Sequence, residues 1–283
     1  MDVPSSPVAG RTVYVGARFL RRVKISKDHP RYLSLVIRER MAAMVEEGIV
    51  SPTGLIAHGR GEAFDYLLGE RTTPEADAAE KAAAALLLGA KRPVITVNGN
   101  AAALAARELA ELARATGALV EVNLFHRSEE RLSKVCDLVE RESGIKVLGR
   151  DQDAVLEGIA SDRARCTSKG LLAADVVLIP LEDGDRAEAM AKAGKKVISI
   201  DLNPLSRTTL AAEVAVVDEL TRAVPNITRW AVELKGDAGG IADALSSYEN
   251  EENLDAVMRR MCQGLKGSTA DRSERLTWKR NYC

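Results

Sequence analysis

The chain has 283 residues, is 46% hydrophobic, carries a formal net charge of −1 and holds only 4% aromatic residues. That length buries a sizeable core, and the near-neutral, aromatic-poor composition gives no electrostatic or stacking signal for nucleic acid or an anionic membrane. No apolar run approaches the ~18–20 residues that cross a bilayer, and the three histidines leave no basis for a histidine-rich metal site. Four scattered cysteines (Cys136, Cys166, Cys262, Cys283) without a C-x-x-C pair argue against a disulfide framework or zinc site and for a soluble protein of the reducing cytoplasm.

Residues 1–27 carry six Lys/Arg against one acid, Asp2, and have no continuous apolar stretch. They read as a basic, flexible extension in preference to an organelle transit peptide. A helical section follows from about Tyr32 to Gly89, with three helices and one glycine-rich turn. In the first helix, Tyr32–Glu47, an apolar face of Leu33, Val36, Ile37, Met41, Met44 and Val45 contains Arg40 and has Arg38 at its edge. Such arginines either snorkel or aim into a site, and the helical wheel alone does not choose. The stretch Gly54–Glu62 reads as a turn that lets backbone approach an anion, with Arg60 as a forked donor and a helix from Ala63. A Gly-Arg-Gly turn with Arg60 on a carboxylate is the competing reading, and the spacing is neither G-x-G-x-x-G nor a P-loop.

Beyond it, short β-branched runs alternate with Ala- and Leu-rich helices. The strands are expected at Pro93–Val97, Ala118–Val122, Ile145–Leu148, Asp175–Ile179, Lys196–Ile200 and Val214–Val217. Several are apolar at every position, as parallel strands covered on both faces are. Helices such as Ala101–Thr116 and Arg186–Lys192 stop at Gly117 and Gly194. The alternation predicts an α/β fold with a doubly wound, mostly parallel, Rossmann-like sheet behind an N-terminal helical section. Residues 28–248 read as one α/β domain, and 249–283 as a peripheral amphipathic helix (Leu254, Val257, Met258, Met261) with a loose tail.

In open parallel sheets, ligands bind at the carboxyl ends of the strands. Four of the expected strands end there in polar loops: Asn98-Gly99-Asn100, Asn123 to Arg127, Glu182 to Arg186, and Asp201 to Thr208. Each alone could be turn and cap chemistry, but four on one edge predict a ligand site. Asp183 and Asp185 are candidates for magnesium, with helix capping as the alternative. His126 reads as a neutral donor at an anion site in preference to a general base. No Ser–His–Asp pattern is present, and the cysteines lack an evident base.

The runs His29-Pro30-Arg31-Tyr32, Gly54–Asp65 (GLIAHGRGEAFD), Glu121–Arg127 (EVNLFHR), Pro180–Arg186 (PLEDGDR) and Ile200–Thr208 (IDLNPLSRT) resemble the archaeal phosphopantothenate synthetase (4-phosphopantoate–β-alanine ligase) family. The resemblance spans about residues 28–248. It implies an ATP-dependent ligase of coenzyme A biosynthesis that joins 4-phosphopantoate to β-alanine through an acyl-adenylate, releasing AMP and pyrophosphate, with Mg2+ as cofactor. It places the ATP contacts on Arg38, Arg60, Asp201, Leu202, Asn203, Arg207, Thr208, Glu219 and Leu220. Glu219 stands where relatives are expected to carry an amide, which implies contact through its backbone. The remaining strand-end residues, Asn98, Asn100, Asn123, His126, Arg127 and Arg186, are assigned to the acid substrate. Arg38, Arg60, His126 and Arg127 are the expected catalytic set, acting through charge neutralisation. The resemblance further implies a homodimer, for which the helix Ala78–Leu88 is a candidate interface. The alternatives weighed are an ADP-releasing kinase of pantoate or a related acid on the same fold, and a non-catalytic nucleotide sensor.

Overall fold

The computed structural model describes residues 25–29, 31–159 and 161–270. Most of the basic extension and the tail after residue 270 lie outside the described residues. Three helices come first: α1 (Tyr32–Glu46), α2 (Pro52–Leu68) and α3 (Pro74–Gly89). Then follow β1 (Pro93–Val97), α4 (Gly99–Thr116), β2 (Leu119–Val122), α5 (Glu129–Ser143), and a short antiparallel pair, β3 (Ala154–Val155) and β4 (Arg165–Cys166). The chain returns to the main sheet with β5 (Val176–Pro180), α6 (Gly184–Lys192), β6 (Lys196–Ile200), α7 (Arg207–Leu210) and β7 (Val214–Val216). It closes with α8 (Leu220–Leu234), α9 (Ala238–Ser246) and α10 (Asn250–Ala270).

The main sheet has five parallel strands in the order β2-β1-β5-β6-β7. Side chains alternate across it, so Ile95, Val97, Leu178, Ile198 and Ile200 meet one helical layer with α3, α4, α5 and α8. Val94, Val177, Ile179, Val197 and Ala215 meet the other, with α6 and the buried Leu254, Val257 and Met261 of α10. Burial on both faces explains why β5 and β7 are apolar throughout, while β1 and β6 carry the single buried polar residues Thr96 and Ser199. The chain leaves β1 toward β2 on one side and returns as β5 on the other. The topological switch point therefore lies between the carboxyl ends of β1 and β5.

Three expectations are corrected. Ile145–Leu148 is no strand: Leu148 makes a single parallel bridge to Glu121, through Leu148 N to Val120 O (2.8 Å) and Val122 N to Leu148 O (2.9 Å). Gly149, at φ 115°, then turns the chain away where any Cβ would collide with the Val122 carbonyl. The glycine-rich stretch is no turn either, but the first half of α2. Ser51 caps that helix by accepting from Gly54 N (3.0 Å), Pro52 occupies its first turn, and Gly54, Gly59 and Gly61 all keep negative φ. Gly54 instead serves close packing: a Cβ there would press on the Asn100 side chain, whose Nδ2 donates to the Gly54 carbonyl (2.8 Å). Finally, the Ala78–Leu88 helix is no surface. Its alanines let α3 sit tightly against α8, α9 and α10, and Ala79, Ala82, Ala83 and Leu87 are wholly buried. Among the described residues, no helix is long and apolar enough to cross a membrane.

Candidate active site

Two cavities open on the switch-point edge and share a boundary of Ala57, Arg60, Asn100, Leu181 and Asp183. The larger, about 660 Å³, runs along the ends of β6 and β7. It gathers Arg60 with Asp201, Leu202, Asn203, Arg207, Thr208, Glu219 and Leu220, eight of the nine residues expected to hold a nucleotide. Asp201 closes β6 and accepts from Asn203 N (3.0 Å), while burial pushes its carboxyl above the usual range. Ser206 caps α7, accepting from Thr209 N (3.1 Å), and Glu219 caps α8, accepting from Thr221 N (2.7 Å), and the starts of both helices line the cavity. Gly184 lets α6 begin directly beside them, where a Cβ would collide with Arg207. Thr208 is buried and donates to the Glu182 carbonyl (2.8 Å). Arg207 is held outward by Glu188 (2.9 Å).

Arg38 does not reach this cavity. Its guanidinium lies outside α1 and α2 on Glu62 (2.9 Å) and the Tyr66 hydroxyl (2.7 Å), and the Glu62 hydrogen bond holds it fully cationic.

The second cavity, about 390 Å³, lies between the amino ends of α2 and α4 and the loop after β2. Of the residues expected for an acid substrate, Asn98, Asn100 and His126 line it. Both ends of the Asn98 amide are engaged: Oδ1 caps α4 at Ala101 N (3.0 Å), and Nδ2 crosses the switch point to the carbonyls of Pro180 (3.1 Å) and Leu181 (2.8 Å). His126 Nε2 meets Thr53 Oγ1 at 3.1 Å. The other three point elsewhere. Asn123 is buried and donates to the Arg165 carbonyl (2.8 Å), fixing the segment that carries Arg163. Arg127 turns to Gln152 and Glu129. Arg186 is 0% exposed and pairs with Glu182 beneath the site.

Two cations in this cavity escape sequence reading. Arg131, from the first turn of α5, donates Nε (3.1 Å) and one terminal nitrogen (2.8 Å) to the Ile49 carbonyl and the other to His126 O (2.8 Å). It has no carboxylate partner among the described residues, and burial, then the charge of Arg163, pulls its pKa below the usual arginine value. Only glycine fits at position 99, because a Cβ would collide with Ile49 O and crowd Arg131. Arg163 is buried, ion-paired to Glu182 and Asp183 (3.0 Å to the latter) and 5.8 Å from the Phe125 ring centre. Arg131 looks like one charge among many in EERLSK, and Arg163 sits in a three-residue 3-10 turn, Asp162–Ala164, so neither carries a periodic signal.

Asp183 lines both cavities, and Asp185 lines neither, accepting from its neighbour Arg186 N (2.9 Å). No cluster of three or more potential metal-ligating side chains occurs among the described residues. Burial raises the Cys136 and Cys166 thiols to about 11, which keeps them protonated and unreactive.

The site thus joins a larger cavity along the ends of β6 and β7 to a smaller, cationic one. The phosphopantothenate/pantothenate synthetase family profile matches residues 75–264. A 4-phosphopantoate–β-alanine ligase of Methanosarcina mazei is 48% identical over 248 residues, covering 87% of this chain and 98% of the relative. Another of that name from Methanospirillum hungatei is 56% identical over 213 residues, covering 75% of this chain and 87% of the relative. A third, from Thermococcus onnurineus, is 46% identical over 238 residues, covering 83% and 91%. With a profile across most of its sheet and relatives matched nearly end to end, the chain belongs to the phosphopantothenate/pantothenate synthetase family.

Proposed function

We propose that this chain is an ATP-dependent, AMP-forming ligase of coenzyme A biosynthesis that condenses 4-phosphopantoate with β-alanine to 4′-phosphopantothenate, working in the cytoplasm. The observation that carries the reading is the shared boundary: a nucleotide in the larger cavity and an acid in the smaller one meet at Arg60, Asn100, Leu181 and Asp183. There the acid's carboxylate oxygen attacks the α-phosphorus of ATP, and the bond to the bridging oxygen breaks as pyrophosphate leaves. β-Alanine, once it has lost its ammonium proton, attacks the acyl carbon. AMP departs with the electron pair of the broken C–O bond, and the second amine proton goes to solvent.

Arg60 faces the junction without an ion-pair partner among the described residues, so its charge is available to the phosphates and the carboxylate. The far end of the smaller cavity suits the substrate's 4-phosphate. Arg131 carries uncompensated charge there, His126 and Thr53 offer polar groups, and α2 and α4 direct their amino ends inward. Asp183 fits a magnesium ion that would screen the nucleotide phosphates, because one carboxylate plus phosphate oxygens is an ordinary magnesium environment.

The homodimer is assigned to the outer face of α1 and α2. Leu33 (46%), Ile56 (66%) and Tyr66 (44%) are exposed there, and Arg38 lies beside them.

Incubation with ATP, magnesium, 4-phosphopantoate and β-alanine should yield 4′-phosphopantothenate and AMP by mass spectrometry. Formation of ADP instead identifies a kinase. ATP binding with no product identifies a sensor.

A further inference from the structure

Leu181 is one of two non-glycine residues with positive φ among the described residues, at 52°. It follows β5 at the switch point, and the backbone on both sides of it is fastened. Its N–H donates to the Ile200 carbonyl (3.0 Å), and Asn98 Nδ2 holds both its own carbonyl (2.8 Å) and that of Pro180 (3.1 Å). A left-handed leucine persists only where its surroundings over-determine it, and such residues concentrate at functional sites. This one lines both cavities. Of the five residues on the shared boundary, Leu181 and Ala57 are the apolar ones, and Leu181 has the larger side chain.

On the ligase reading above, that boundary is where the carboxyl–phosphate anhydride forms. Water competes with the amine for its acyl carbon. Attack by water forms a C–O bond, expels AMP with the electron pair of the old C–O bond, returns the free acid and sends the water's protons to solvent. ATP would be consumed with nothing joined. An apolar wall at the anhydride disfavours an ordered water there while leaving the amine's approach from the cationic cavity open.

We propose that Leu181, locked by Asn98, is a positioning residue that couples adenylation to amide formation by keeping water from the acyl carbon. Its polar neighbours hold the substrates, and Leu181 decides which nucleophile arrives.

The test is the amount of AMP released per 4′-phosphopantothenate formed, measured on the full chain with all three substrates and magnesium. Native protein and Leu181→Met should give equal amounts. Leu181→Gly, which accepts the same backbone without strain, should release AMP in excess by roughly threefold or more. Asn98→Ser keeps a side-chain cap for α4 but removes the two bonds to the β5 end, and it should shift the ratio in the same direction. A purely structural role would lower both products together. Equal amounts from Leu181→Gly and Asn98→Ser, at whatever rate, overturn the proposal, as does loss of both products in Leu181→Gly alongside an unshifted ratio in Asn98→Ser. Native protein that forms neither product overturns the ligase reading itself, a different result from a native protein that couples and variants that couple equally well.

Discussion

Arg127, just before the cap of α5, and Arg131, in its first turn, are four residues apart, yet the fold gives them opposite surroundings. Arg127 is neutralised by Glu129 and held by Gln152 beside the site, whereas Arg131 enters the smaller cavity bonded only to carbonyl oxygens. A partly buried guanidinium without a carboxylate is costly unless an anion arrives to pair with it. Arg131→Met, which keeps the apolar stem, should therefore raise the KM for 4-phosphopantoate by ~30-fold or more, about 2 kcal/mol, with KM for ATP changed far less. Arg127→Ala should leave both constants close to native. Steady-state kinetics on the two variants, with Tm recorded for each, checks the assignment. Equal responses to the two substrates in Arg131→Met would contradict it. The contrast also shows where residue-level reading fails. Asn98 and His126 stand at strand ends or loops, and position in the sequence places them on the cavity, but the choice between arginines depends on which partner each side chain meets. That information is tertiary.

At the scale of elements, α3 is the clearest case of composition misread as surface. Its alanine run predicts a helix correctly, but small side chains suit an interior helix as well as an interface, and only packing against α8 distinguishes them. Burial between α3 and α8 has an electrostatic consequence at Glu80. The residue is fully buried, and desolvation followed by the nearby Asp218 charge raises its pKa to about 9. In the unfolded chain the same carboxyl titrates near ~4.3. Below that pH both states hold the proton and Glu80 carries no ionisation penalty. As pH rises toward 9 the unfolded chain releases the proton and the folded one keeps it, so stability falls across that window. Glu80→Gln should remove this dependence, giving a stability advantage over the native protein, followed through Tm, that grows between pH 5 and 9 by several kcal/mol. A constant difference across that range would show that Glu80 ionises normally in the fold. The α2 helix teaches a related lesson. Its glycines suggested a turn, yet Ser51 and Pro52 are start signals in the sequence, and the glycines answer to the close approach of Asn100 rather than to backbone conformation.

For the molecule as a whole, period and alternation carried the architecture. β5 and β7 are apolar throughout, as strands buried on both faces can be, and β1, β2 and β6 are β-branched runs interrupted by Thr96, Glu121 and Ser199. Strand order is not in the pattern, because a parallel sheet can place β5 beside either β1 or β2. Only that order puts Asn98 next to Leu181 and joins the two cavities. The edge segment around Leu148 shows the limit of the same reasoning: an apolar run bounded by Gly144 and Gly149 has strand composition but room for only one bridge. Eight of the residues expected to hold a nucleotide, by contrast, come from the ends of β6 and β7 and from α2, and the fold brings them to one cavity although they are far apart in sequence.

In the proposed reaction the acid's carboxylate meets the α-phosphorus of ATP at the boundary between the cavities. It is tested most directly with 4-phosphopantoate labelled with oxygen-18 in its carboxylate, followed through one turnover with β-alanine and ATP. One labelled oxygen is expected in the phosphate of AMP. Label recovered in inorganic phosphate, or AMP formed without label, would contradict it.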